Sequence, residues 1–242
     1  MRTTAGLDQG GPLARVLDDP RVAVAELDPR EVAPEVGLYP EEAALIVNAV
    51  LARRQQFTAG RCLARRAWQA LGREPEPLLN DAQRVPRWPA GLVGTITHTH
   101  AWCGAAVAFA NEVSGLGADV EAATPLEPGL WDRVCRPEER EFLHALPAER
   151  SGLLAKGVFS AKESIYKALY PSVRVFLDFQ GMSLELEPSP PGNGATSGAE
   201  AGATWRWQPT LQSAWGPFLP GHRFPTGRLW LDRELIVSAV VL

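Results

Sequence analysis

Lysine is almost missing from this chain of 242 residues: it occurs only as Lys156, Lys162 and Lys167, and the other 21 of the 24 basic residues are arginine. A chain that writes arginine everywhere else marks the stretch where it keeps lysine. An ammonium is a compact point charge whose pKa can move, and a guanidinium is neither. Excess charge is lacking too. A net charge of −4 and a pI near 5.7 give no global basic field for nucleic acid or an anionic membrane, so any phosphate site has to be local. Long apolar runs are absent, the most apolar stretches at residues 45–51 and 235–242 being too short to span a bilayer. No apolar segment follows Met1-Arg2-Thr3-Thr4-Ala5-Gly6, which argues against a secretory signal. Cysteine is limited to Cys62, Cys103 and Cys135, odd in number and without a Cys-x-x-Cys pair. They read as reduced, core-like residues of a cytoplasmic protein. The four histidines show no metal-ligand spacing, and no Gly-x-x-x-x-Gly-Lys-Ser/Thr loop is present.

What is present suffices for a core: 45% of residues are apolar, over a length that suits one large or two small domains. The lead-in to about Pro20 reads as loose. Arg21 to Leu27 reads as a strand, and Glu41 to Gln56 and Ala59 to Leu71 as two helices. A Pro-rich loop at Asn80 to Gly91 precedes strands at Val93 to His98, Ala105 to Ala110 and Leu116 to Glu121. Pro137 to Leu146 and Ser151 to Leu169 read as helices, the second ended by Tyr170-Pro171. Met182 to Glu187 alternates as a half-buried strand, Pro188 to Gly202 is a low-complexity stretch expected to be a mobile loop, and Thr204 to Trp207 is a candidate return strand. Arg228 to Asp232 and Leu235 to Leu242 make a closing hairpin. Strands and helices mix without regular βαβ alternation, so the expected class is α+β.

Asp119 and Glu121 stand at i and i+2 on a strand, which puts both carboxylates on one face. Such a pair is either a solvent-facing strand edge or a site for a hard cation, most plausibly Mg2+, since close carboxylates repel without a proton or cation between them. Glu163 and Lys167 share a helical face at i,i+4. They are either a surface ion pair or a third carboxylate with a phosphate-binding lysine. Thr97 and His98 end a strand where a hydroxyl and an imidazole can meet a phosphate, or where both are structural. Arg53, Arg54, Arg61, Arg65 and Arg66 fall along two helices, mostly as a solvated face, with one or two able to clamp an anion.

In their order these pieces resemble the 4'-phosphopantetheinyl transferases, specifically the surfactin/enterobactin-type group and its actinobacterial members. Gly117-Ala118-Asp119-Val120-Glu121 resembles that family's Gly-x-Asp-x-Glu. Phe159-Ser160-Ala161-Lys162-Glu163-Ser164-Ile165-Tyr166-Lys167 resembles its aromatic-Ser/Cys-x-Lys-Glu-x-x-x-Lys. Phe57 to Arg65, Trp88-Pro89-Ala90-Gly91 and Gly94-Thr95-Ile96-Thr97-His98 follow in the group's usual order, and the likeness runs from about Glu41 to Phe179. The two motifs together are specific, and neither half is. The sequence departs from the pattern at Ala118, where a β-branched residue is usual, and at Gln56, where an acid is common. The loop at Asn80 to Arg84 lacks a lysine that relatives place against coenzyme A.

The resemblance implies transfer of phosphopantetheine from coenzyme A to a serine of an acyl or peptidyl carrier protein. It implies a pseudo-dimer of two similar α/β halves in one chain, here residues 1–112 and 113–242, meeting near Asn111 to Ser114 with the site between them. Asp119, Glu121 and Glu163 are then expected to hold Mg2+, with Glu163 as base for the serine, directly or through a metal-bound water. Lys167 is expected at the departing 3',5'-ADP and Lys162 on a phosphate oxygen. Arg53 (or Arg54 in its place), Arg61, Thr97 and His98 are expected on the coenzyme A phosphates. A monomer without nucleic-acid or membrane partners is expected. The competing readings are another Mg2+-dependent phosphotransferase or nucleotide hydrolase, and a non-catalytic coenzyme A- or carrier-binding module.

Overall fold

The computed structural model describes residues 10–189 and 202–242. Most of the low-complexity stretch from Pro188 to Gly202, expected to be a loop, lies outside the described residues. The chain divides into two compact units, Met1–Leu116 and Gly117–Leu242.

The first unit is built on an antiparallel sheet of β1 (Val22–Leu27), β3 (Cys103–Phe109) and β2 (Leu92–His98), in the order β1-β3-β2. The lead-in contains a short helix α1 (Pro12–Leu17), where a loose segment was expected. Its first amides are held by a side chain distant in sequence: the buried Glu26 carboxylate of β1 accepts from Leu13 N at 3.1 Å and Ala14 N at 2.9 Å. No local pattern encodes that cap.

The two helices expected between Glu41 and Leu71 are divided differently. Helix α2 (Pro40–Ala44) is one turn, and α3 (Leu51–Ala70) runs unbroken through Phe57-Thr58. Glu42 fixes where that turn sits. Its side chain is 0% exposed and takes Arg65 Nη1 at 2.6 Å, Leu78 N at 2.9 Å and Tyr39 N at 2.9 Å, anchoring α2 against α3. Thr58 stays in the helix because its hydroxyl finds Glu35 N at 3.0 Å. Ala59, Leu63, Ala64, Ala67 and Trp68 form the face of α3 that packs on β1 and β3, against Ala23, Ala25, Ala105 and Val107. These small residues let helix and sheet approach closely. At Gly60 an added Cβ would stand 2.8 Å from Ile96 Cγ2 of β2.

The second unit carries a five-stranded sheet in the order β4-β8-β7-β6-β5, with β4 Leu116–Ala122, β5 Met182–Pro188, β6 Ala203–Leu211, β7 Gly227–Leu231 and β8 Leu235–Val241. Strands β5 to β8 pair antiparallel in succession. After the single turn α4 (Trp131–Val134) comes α5 (Pro137–His144), and then the 26-residue α6 (Ala148–Val173), which packs on β8 and β7. Leu154, Val158, Ala161 and Ile165 of α6 meet Trp207, Leu229, Ile236 and Val240 in one apolar cluster. Helix α6 passes through Pro171, where an end was expected. Proline falls in the last turn, where it forgoes one backbone bond but only two helical residues follow it, and Arg174 at φ 58° closes the helix by donating its amide to Tyr170 O at 2.9 Å. The whole is a mixed chain of helices and two mainly antiparallel sheets, in keeping with an α+β class.

Candidate active site

Strand β4 sorts its side chains by alternation. Ala118 and Val120 are buried on one face, and Gly117, Asp119 and Glu121 share the other. The glycine decides how near that second face comes to α6: a Cβ at Gly117 would stand 1.9 Å from Ser164 O and 2.8 Å from Ala168 N. With only hydrogen there, the strand lies against the helix backbone, and the carboxylates two and four residues on face α6 side chains.

Three buried hydroxyls help fix the same approach. Ser160 Oγ donates to Asp119 O at 3.3 Å and shares a 2.8 Å hydrogen bond with Ser238 Oγ of β8, while Ser164 Oγ lies 2.6 Å from Ser238 Oγ. Ser160 and Ser164 stand at i,i+4 on α6, a spacing that flags a shared face, whereas nothing along the chain points to Ser238 as their partner.

The structure brings Lys167 to Asp119, with Nζ 2.6 Å from Oδ1, and Lys156 to Glu121, with Nζ 3.3 Å from Oε2. Asp119 is only 5% exposed, so it is no solvent-facing strand edge, and its pairing with Lys167 joins two elements rather than decorating one helix. The second oxygen, Asp119 Oδ2, is buried with no hydrogen-bond partner. Glu163 belongs to the same electrostatic group. Burial pushes its pKa up, Lys167 pulls it down, and Asp119 and Glu121 push it up again. Burial likewise raises Glu121, followed by Asp119, against the opposing pull of Lys156 and Lys167. Beside Glu163 opens an apolar pocket lined by Tyr166, Phe176, Leu177, Phe179 and Met182.

Lys162 departs from expectation. Its side chain is 2% exposed, and its ammonium donates to Glu139 Oε2 at 2.8 Å, Val134 O at 2.8 Å and Phe179 O at 3.0 Å. All three N–H groups are used inside the fold, so none is left for a phosphate oxygen. The motif includes Lys162 but not its partner Glu139, whose carboxylate also accepts from Arg136 N and Leu184 N at 2.7 Å each.

The arginine set lies in the first unit. Arg53 Nη1 is 2.9 Å from His98 Nε2, whereas Arg54 turns to Glu35. Arg61 is 5% exposed, donates to Asn80 Oδ1 at 2.6 Å, stands 4.2 Å from the centre of the Phe57 ring and keeps its Nε without a partner. Burial, followed by the neighbouring Arg53 and Arg65 charges, lowers its pKa to about 10, against the pull of Glu42. A cation in that setting gains from an anion. Thr97 is buried on β2, one residue before His98.

Among the described residues no group of three or more His, Cys, Asp or Glu side chains stands in metal-holding geometry. Lys156 and Lys167 take the Glu121 and Asp119 oxygens. The donor set nevertheless suits a hard cation, because it offers only oxygen, leaves Asp119 Oδ2 buried and unpartnered, and crowds carboxylates whose mutual repulsion a cation relieves.

Residues 41–108 match the family model described as the 4'-phosphopantetheinyl transferase N-terminal domain, and residues 115–218 that of the 4'-phosphopantetheinyl transferase superfamily. Over 234 residues, 95% of either chain, the sequence is 33% identical to 4'-phosphopantetheinyl transferase PptT of Mycobacterium tuberculosis. The chain belongs to the 4'-phosphopantetheinyl transferase family. It is also 43% identical over 152 residues to 4'-phosphopantetheinyl transferase Svp of Streptomyces mobaraensis, a match that spans 62% of that relative's length. Enterobactin synthase component D of Salmonella typhi is 36% identical over 124 residues, 48% of each chain. Within the matched parts of this family member lie Arg53, Arg61, Thr97 and His98 in the first, and Asp119, Glu121, Glu163 and Lys167 in the second.

Proposed function

We propose that this chain transfers 4'-phosphopantetheine from coenzyme A to a serine hydroxyl of an acyl or peptidyl carrier protein, releasing 3',5'-ADP. Family membership supports the reaction class. The observation that carries the assignment of the site is the Asp119–Lys167 contact of 2.6 Å, which joins the two motifs across β4 and α6.

In the transfer, the serine oxygen forms a new bond to the phosphorus that bears pantetheine. The bond from that phosphorus to the bridging oxygen breaks, and 3',5'-ADP leaves with the electron pair. Glu163 takes the serine proton, and the burial that raises its pKa makes its carboxylate a stronger base than an exposed one. Lys167 faces the charge that grows on the leaving group. Asp119, Glu121 and Glu163 would hold Mg2+, which when bound neutralises pyrophosphate charge. Arg53, Arg61, Thr97 and His98 bind the coenzyme A phosphates. The apolar pocket beside Glu163 suits the slender pantetheine arm.

The likeness of the two units in build, each laying one long helix on a mainly antiparallel sheet, supports the pseudo-dimer reading. Three free cysteines support a cytoplasmic setting. No helix among the described residues is long and apolar enough to cross a membrane. We read the enzyme as a monomer serving fatty acid, polyketide or nonribosomal peptide synthases.

The test is mass spectrometry of the protein mixed with coenzyme A, Mg2+ and an apo carrier. A phosphopantetheine-sized gain on the carrier serine is expected. Nucleotide consumption without that gain would assign the chain to another phosphotransferase or hydrolase, and coenzyme A binding without turnover to a binding module.

A further inference from the structure

Lys156 stands outside both sequence motifs and has no part in the transfer just described. Yet it is one of only three lysines in the chain, and it reaches the acidic cluster. Its ammonium lies 3.3 Å from Glu121 Oε2 and 5.7 Å from the centre of the Phe159 ring, with the lysine side chain 18% exposed. The two carboxylates of β4 are therefore each matched by one lysine of α6, Asp119 by Lys167 and Glu121 by Lys156. The second oxygen of Asp119 is left buried and unpartnered beside them.

An ammonium and a divalent cation compete for the same carboxylate oxygen. The half-buried setting strengthens that competition, because water screens the charges less than it does at the surface. The Phe159 ring gives the ammonium a second place to rest when it leaves the carboxylate, since the ring face attracts a cation. Arginine would not serve so readily, as its planar fork holds a carboxylate with two parallel hydrogen bonds.

We infer that Lys156 is a resident counter-ion of Glu121 that a divalent cation must displace, so that this lysine sets the cation concentration at which the acidic cluster fills. The inference rests on reading Asp119, Glu121 and Glu163 as cation ligands. It adds a residue, outside the set assigned above to coenzyme A and the serine, that tunes the cation requirement by competition.

The test is a titration of Mn2+ alone into the full chain at fixed neutral pH and ionic strength, with free Mn2+ read by electron paramagnetic resonance. Lys156→Met and Lys156→Gln are expected to bind Mn2+ roughly fivefold more tightly than the parent. Lys156→Arg, which keeps the charge, is expected to bind no more tightly than the parent. Arg150→Met removes the same charge from an exposed site on the same helix and is expected to change nothing.

Equal affinities in the parent and the Met and Gln variants overturn the inference. Weaker binding in those variants overturns it as well, for the lysine would then support the cation site. An equal gain in Arg150→Met reduces the effect to net charge, and no Mn2+ binding by any of the proteins also refutes it. Carrier loading measured in parallel separates the two readings. A parent that loads the carrier while its Mn2+ affinity ignores Lys156 refutes this inference alone, and a parent that never loads the carrier refutes the transferase activity.

Discussion

Lys162 donates to Glu139 Oε2 at 2.8 Å inside the fold, and the two side chains are 2% and 0% exposed. Burial lowers the lysine pKa and raises that of the glutamate, and each partner's charge opposes the shift of the other. With Val134 O and Phe179 O as further acceptors, the pair ties α6 to the end of α4, the start of α5 and the pocket wall at Phe179.

Breaking that pair from one side strands a buried charge. Lys162→Met should cost about 3–5 kcal/mol of stability, and Lys162→Met with Glu139→Gln should cost less than Lys162→Met alone. Urea unfolding of the three proteins checks this. A Lys162→Met variant of parental stability that lost only coenzyme A affinity would return Lys162 to a phosphate.

Lys167 is exposed enough to tolerate change but is placed by a single Asp119 oxygen at 2.6 Å. Lys167→Arg keeps the charge and alters both its shape and its acidity. We expect kcat to fall at least tenfold, about 1.4 kcal/mol of transition-state stabilisation. Full activity in steady-state assays would make the contact an ordinary ion pair.

Gly117→Ala places a methyl group where the nearest backbone atom, Ser164 O, is 1.9 Å away. Strand β4 must then retreat from α6 and carry Asp119 with it. We expect a stability loss of about 1–3 kcal/mol or more and a disproportionate loss of kcat. Denaturation and kinetics on the same preparation measure both, and a variant active at the parental rate would show that the close approach is dispensable.

Burial pushes the thiols of Cys103 and Cys135 up to about 12 from an ordinary 9.0. Since the thiolate is the nucleophile, raising the pKa keeps these residues protonated and inert until the pH approaches that value. Cys62, half-buried beside Arg65, is raised by burial while the arginine pulls it back. Iodoacetamide at neutral pH should therefore mark Cys62 first, as read by peptide mass mapping, with labelling of the native protein at the other two only in strong alkali. Rapid labelling of Cys103 near neutrality would contradict the packing of β3 against α3.

A chain of net charge −4 has no global positive field to draw in a carrier protein, so docking has to use local positive charge or apolar contacts. Arg133 is exposed on α4. Its neighbour Arg136 is committed to the fold, donating to Glu138 Oε1 and to Gln180 O at 2.6 Å each. Arg133→Glu should raise KM for the carrier and leave KM for coenzyme A unchanged. If both constants stay at parental values, the carrier docks elsewhere.

Much of the second unit was legible in the sequence, because its signals are local. Alternation on β4 put Asp119 and Glu121 on one face, helical spacing put Glu163 and Lys167 on another, and the closing hairpin of β7 and β8 follows from apolar runs around a short turn. Scarcity of lysine marked α6 before any fold was known. Composition bounded the charge and the cysteine chemistry.

Only the tertiary structure decided which charges meet. Lys162, read from its motif as a phosphate ligand, is paired with Glu139 23 residues earlier, and Lys156, which no motif includes, reaches Glu121 35 residues earlier. The same holds for Glu26 capping α1 and for Glu42 anchoring α2 to Arg65 of α3. Backbone periodicity depends on neighbours a few residues apart and so can be read along the chain. The partner of a buried charge is chosen by whatever the packing brings within about 3 Å, and no pattern along the chain records that distance.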